Sequence, residues 1–151
     1  MPSFSNTRRV NHSAEAMYKI IADVEQYPQY LPLCEALVVK SREERRGKEI
    51  LIAEMTVAYK LVRETYSSRV ILDREKCRVF VESITGPFHH LDNRWTIKEV
   101  SATSCDVDFY IDYEFKSRPL QLLMGSMFDY AFHKFSKAFV ARADEVYGCA
   151  S

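Results

Sequence analysis

Between Cys105 and Phe115 apolar side chains fall on every second residue: Val107, Phe109, Ile111, Tyr113 and Phe115, with Asp106, Asp108, Asp112 and Glu114 on the other parity. A period of two marks a strand with one wet face and one buried face. Only a few residues later the period changes. Leu120, Met124, Met127, Phe128, Ala131, Phe135, Ala138 and Phe139 fall on one stripe of a helix. Pro119 in its first turn and Gly148 past its end bound that helix. At 1.5 Å per residue its roughly 30 residues reach roughly 45 Å, enough to span a domain. A long apolar helix laid on a curved antiparallel sheet either fills a core or roofs a cavity, and the choice decides what the chain can do.

The rest of the chain supplies the sheet. Residues about 2 to 11 read as a first strand, and Ser13 is a good N-cap for a helix over 14–23, with Glu15 in its first turn. A second short helical piece over 24–31 is interrupted by Pro28 and stopped by Pro32. Strands follow from Leu37 onward, with a first hairpin turning in Arg42 to Lys48 around Gly47. Leu51, Ala53, Met55, Val57, Tyr59 and Leu61 share one face of the next strand, with Glu54 and Lys60 on the other. Tyr66, Ser68, Val70 and Leu72 follow as a partly polar inner face. Residues 79–84 form another strand, Gly86 and Pro87 break it before Phe88, and Asn93, Trp95 and Ile97 belong to the strand after it. The expected fold class is α+β, a curved antiparallel sheet of about seven strands gripping a long C-terminal helix, in one domain over residues 1–151.

Bulk charge excludes little but steers the reading. Lys plus Arg equals Asp plus Glu at 21 each, so no global field draws the chain to nucleic acid or to an anionic membrane. The first ten residues lack the apolar core of a signal peptide and no run reaches membrane-spanning length. A cytoplasmic protein is expected, at most peripheral to the inner membrane. Cys34, Cys77, Cys105 and Cys149 are far apart and read as free thiols. His12, His133 and the pair His89 and His90 suggest no metal site.

Three pieces of the chain carry a family resemblance: Tyr27-Pro28-Gln29-Tyr30-Leu31-Pro32-Leu33-Cys34; Gly86-Pro87-Phe88 with Leu91 and Trp95 behind it; and the tail from Asp112-Tyr113-Glu114-Phe115 through Ala138-Phe139, Arg142-Ala143 and Glu145-Val146-Tyr147-Gly148. In this order and spacing the chain resembles the START-like coenzyme Q-binding proteins of the polyketide cyclase and lipid transport superfamily. That family includes a mitochondrial ubiquinone chaperone and a bacterial ribosome-association toxin. The resemblance implies a helix-grip cavity that holds ubiquinone or a similar polyprenyl lipid as bound ligand, supports respiration, and needs no cofactor or catalysis. It implies transient contact with a membrane surface and a monomer as well. A ribosome-associated regulator of translation is the alternative, and a polyketide cyclase-like enzyme the third. The mitochondrial members carry targeting sequences, and their absence here favours a bacterial-type member.

The residues themselves fit a binding role. Leu51, Ala53, Met55, Val57, Val107, Phe109 and Ile111 point inward and none can move a proton. The inward polar groups are Tyr59, Tyr66, Ser68, Asn93 and Tyr113, donors that suit the acceptor oxygens of a quinone head, although for any one tyrosine the favoured reading is an ordinary core residue whose hydroxyl reaches backbone or water. Candidate cavity residues are Met55, Tyr59, Tyr66, Trp95, Phe109, Met124, Met127, Phe128 and Phe135, and candidate mouth residues are Tyr30, Leu31 and Phe88. Leu122 and Phe132 lie off the apolar stripe; with Tyr27, Tyr30, Leu31 and Phe88 they either form an apolar rim at the cavity mouth or belong to helical pieces that simply cover one another. Arg142 either anchors a ligand's polar end or pairs with Glu64 or Glu99. The basic run Arg42, Arg45, Arg46 and Lys48, largely neutralised by Glu43, Glu44 and Glu49, is where an RNA contact is expected if there is one.

Overall fold

A computed structural model describes residues 3–59 and 61–148; Lys60 and Cys149, named above, and residue 2 of the expected first strand lie outside them. The elements are β1 (Ser3–Val10), α1 (Ala14–Ala22), a 3₁₀ segment (Val24–Gln29), β2 (Cys34–Arg45), β3 (Lys48–Tyr59), β4 (Val62–Asp73), β5 (Arg78–Thr85), β6 (Phe88–Ser101), β7 (Ser104–Phe115) and α2 (Arg118–Tyr147). All seven strands form one antiparallel sheet in the order β1-β7-β6-β5-β4-β3-β2. Strands β2 to β7 run as a meander, because short turns can only join antiparallel neighbours. β1 closes the far edge by pairing with β7, from Ser3 opposite Asp112 to Val10 opposite Cys105.

Local chemistry sets the corners. Ser13 Oγ accepts from the Ala16 amide at 3.1 Å and Ser117 Oγ from the Leu120 amide at 3.3 Å, so each helix begins on a serine cap. Gly148 at φ 88° ends α2, its amide donating to the Asp144 carbonyl at 2.8 Å. Arg46 and Gly47, at φ 52° and 79°, make a two-residue hairpin turn whose twist matches the flanking strands. The first turn is therefore tighter than the span from Arg42 to Lys48, and β2 begins at Cys34, which pairs with Val57, rather than at Leu37. Register shifts at Cys34/Ala36 and Val39/Ser41 in β2, Ser67/Ser68 in β4 and Phe88/His90 in β6 bend the sheet into a cup.

The long helix lies in that cup. Alternate residues of β7 turn toward it, and Phe109, Phe139, Met124 and Met127 are almost completely buried between the two. The architecture is the helix grip that the resemblance implied. Two expectations fail. Leu61 is fully exposed because the alternation of β3 stops at Tyr59 and Leu61 sits in the turn beyond it. Phe132 is buried, since a helix cradled by a curved sheet is covered on its flanks as well as along its central stripe.

Candidate functional site

Aromatic rings form a continuous band between sheet and helix. Phe115 stacks on Phe88 at 5.0 Å, Phe88 meets Phe128 edge-on at 5.2 Å, and Phe128 leads to Phe132 at 5.6 Å. A second arm runs from Phe109 to Trp95 at 4.5 Å, Trp95 to Phe139 at 4.9 Å, and Phe139 to Tyr27 at 5.3 Å. The Tyr27 hydroxyl donates to the Ile21 carbonyl, which fixes the 3₁₀ segment against α1. These rings leave a gap where the side chain on α2 is small. Ala131 faces a chamber of about 80 Å³, walled by the concave face of β2 to β7, the 3₁₀ segment, the loop Leu31–Cys34 and α2.

Of the residues expected at the cavity, Met55, Tyr66, Trp95, Phe128, Phe135 and Leu31 line this chamber. The others do not. Phe109 points inward but is sealed behind Trp95, Phe132 and Phe135. Met124 and Met127 are buried in the core beside the void rather than facing it. Tyr59 packs against Tyr130 of α2 at 6.1 Å. Phe88 is no rim residue: the Gly86 turn folds it back beneath Phe128, where it is buried. Tyr30 leans on Phe139 at 5.7 Å, with the Arg142 guanidinium 5.2 Å above its ring. Arg142 itself bonds Glu145 at 3.3 Å and Gln29 at 3.1 Å, so its partners are neither Glu64 nor Glu99, and it does not reach the chamber. Ala131, Cys34, Leu37 and Phe139 also line it and were not among the expected cavity residues. Ala131 carries the one legible signal, a small residue among Phe128, Phe132 and Phe135 on a buried face.

The chamber is almost wholly apolar. Asn93 is held in place, its Nδ2 donating to the Tyr110 carbonyl at 3.0 Å and its Oδ1 accepting from Trp95 Nε1 at 3.2 Å. The Tyr66 hydroxyl donates to the Met55 sulfur at 3.4 Å, a weak acceptor. Burial pushes the Tyr66 and Tyr27 hydroxyls above their ordinary value and the Cys34 thiol up to about 12. Among the described residues no histidine or carboxylate lines the chamber, so none of its groups exchanges a proton near neutral pH.

These thiols give a direct test. Cys34, Cys77 and Cys105 are unpaired, and burial raises Cys105 to about 11. At pH 8 roughly one Cys34 in ten thousand is thiolate. Native alkylation should therefore label half-buried Cys77 first and Cys34 more than 100-fold slower than in urea; equal rates would show the chamber to be open to water. The sign of the linkage follows: the folded pKa lies above the ordinary 9.0, so this contribution to stability is full below pH 9 and is lost as pH rises toward 12.

The family of polyketide cyclase/dehydrase and lipid transport proteins matches residues 10–140. The chain belongs to that family. The ribosome association toxin RatA of Escherichia coli is 31% identical over 147 residues, covering 97% of this chain and 90% of its own length. The mitochondrial coenzyme Q-binding protein COQ10 of Dictyostelium discoideum is 30% identical over 146 residues, covering 94% of this chain and 69% of its own length. An 18 kDa protein of Caulobacter crescentus, known from its solution structure, superposes with a TM-score of 0.79 at 25% identity over 99% of this chain and 100% of its own. Both named relatives take their names from what they bind or associate with, not from a reaction. Among the described residues no helix is long and apolar enough to cross a membrane.

Proposed function

We propose that this family member binds a polyprenyl quinone, ubiquinone or a close analogue, in the chamber beneath α2 and carries it unchanged, as a single domain acting alone. The Tyr66 hydroxyl carries the reading. It is a buried donor in an apolar enclosure, and its present acceptor is a thioether that a quinone carbonyl outcompetes. The similarity to a coenzyme Q-binding protein supports the same ligand class. Catalysis is not part of the reading, since the ionisable groups on the lining, Tyr27, Cys34 and Tyr66, are all held protonated.

Size imposes a condition. A chamber of about 80 Å³ has room for a few water molecules, whereas pockets for organic ligands span about 300–1,000 Å³. Uptake therefore requires α2 to lift from the loop Leu31–Cys34 while the sheet stays fixed. Each methylene moved out of water gains about 0.8 kcal/mol, but a bilayer offers the tail the same gain. Tail transfer from a membrane is nearly balanced, and the head-group donor and cavity shape set selectivity.

Trp95 is the only tryptophan and lines the chamber, so quenching of its emission reports entry of a quinone. Tyr66→Phe should lower preference for a short-tailed ubiquinone over the matching prenyl alcohol by about 2- to 12-fold, the equivalent of one net hydrogen bond of 0.5 to 1.5 kcal/mol. Alcohol uptake should stay unchanged. Equal loss of both ligands would make Tyr66 a packing residue only.

The similarity to RatA favours ribosome association as a second reading. The basic hairpin offers it little, because Arg42 pairs with Glu25 and Glu49, Arg45 with Glu43, and Lys48 with Asp73. Co-sedimentation with ribosomes that falls steeply with salt would establish this reading.

A further inference from the structure

At the start of α2 two leucines face away from the protein. Leu122 is 79% and Leu123 58% exposed, and the stripe that grips the sheet becomes fully buried only at Met124. Leu61, fully exposed in the β3–β4 turn, lies at the same end of the sheet. That placement follows from register: Phe115 at the end of β7 faces Phe88 at the start of β6, Thr85 faces Ser67, and Tyr59 faces Val62. The Lys116 amide donates to the Pro87 carbonyl at 2.9 Å, which ties the α2 entrance to this end.

Two cations lie immediately before these leucines. Lys116 and Arg118 are exposed and have no carboxylate partner among the described residues. No Asp or Glu occurs from Lys116 to Phe128. The nearest acids in sequence, Glu114 and Asp129, lie just outside this stretch, beside His89 at 4.0 Å and His133 at 3.7 Å. Two cations at a helix N-terminus run against the helix dipole, so they do not serve the fold. The chain's net charge is zero, which makes this a local feature rather than part of a general field.

Exposed leucines beside unpaired cations match one kind of partner, a lipid surface with anionic head groups, which takes apolar side chains below its phosphates and cations at them. A second copy of the chain fits worse, because a two-fold interface would set these cations against themselves. A nucleic-acid backbone would use the cations and leave the leucines in water. The same end carries one wall of the chamber: the Ala58 amide donates to the Leu33 carbonyl at 3.0 Å, and Leu33 lines the chamber. We infer that the first turns of α2, with Leu61, form a docking face for an anionic bilayer, so that a lipid enters the chamber without crossing water. This inference rests on the lipid-carrier reading.

Flotation with vesicles of phosphatidylcholine alone, and of equal parts phosphatidylcholine and phosphatidylglycerol, tests it, with quinone uptake from detergent micelles followed in parallel by Trp95 emission. The full chain should float with the mixed vesicles at low salt and not with the neutral ones. Leu122→Ser with Leu123→Ser should weaken flotation at least about tenfold, and Lys116→Glu with Arg118→Glu by about 30-fold or more, at about 1 kcal/mol per basic residue. Both double variants change exposed side chains and should keep micelle uptake unchanged. Undiminished flotation in either variant overturns the docking face. So does a dimer of the full chain, seen by sedimentation equilibrium, that the leucine variant dissolves. Flotation as expected without any quinone uptake would uphold the face and reject the carrier reading, while uptake without flotation would do the reverse.

Discussion

Replacing Gly86 with alanine should destabilise the protein by about 3 kcal/mol or more and lower its melting temperature by about 10 °C. Two costs combine. Gly86 has φ +124°, a conformation that side-chain-bearing residues adopt only under strain. A methyl group there would also stand 2.3 Å from Tyr66 Cβ and 3.3 Å from Tyr66 Cα. Neither atom is the free end of a flexible chain, so the β5–β6 turn and β4 must move apart where a bulge already disturbs their pairing at Ser67/Ser68. Tyr66 would shift with β4, and quinone preference should fall together with stability. Urea unfolding at fixed pH measures the first effect; a loss under 1 kcal/mol would mean that the turn relaxes freely.

Ala131→Leu should abolish quinone uptake while leaving the fold intact. Ala131 is buried and faces the chamber from the middle of α2, where Phe128, Phe132 and Phe135 surround it. Three added carbons occupy most of about 80 Å³. Filling a void gains about 0.5–2 kcal/mol and crowding its walls costs about 1–3, so stability should change by no more than about 2 kcal/mol in either direction. Uptake should fall at least about tenfold, since a leucine on α2 blocks both the closed chamber and the space that opens under a lifted helix. Unlike a charged substitution at Met127, which would disrupt a packed core, this change separates binding from folding.

The contrast between Ala131 and Met127 shows what periodicity conveys. Spacing placed β7 and α2 correctly because the hydrophobic face of a strand or helix is a property of local geometry. It identified buried residues, not those bordering a void. Met124, Met127 and Phe109 are buried as their spacing demanded, yet neighbours seal them from the chamber. Which residues border the gap depends on the size of each partner across the layer, information distributed over β3 to β6. Phe88 was misplaced for a related reason. Gly and Pro mark a turn, but only the paired register shows that this turn points Phe88 inward to Phe115. That Tyr66 turns inward was legible from alternation alone, whereas the bonds of Asn93 to Trp95 and the Tyr110 carbonyl depended on contacts along and across the strands.

The central claim is that the space under α2 holds a polyprenyl quinone. Purified wild-type protein and the Ala131→Leu variant should each be incubated with quinone-bearing vesicles, separated from them, extracted into organic solvent and analysed by mass spectrometry. The wild-type protein should retain quinone at close to one molecule per chain, and the variant should retain about a tenth of that or less. Equal retention by the two proteins, or none by the wild-type chain, would contradict the account.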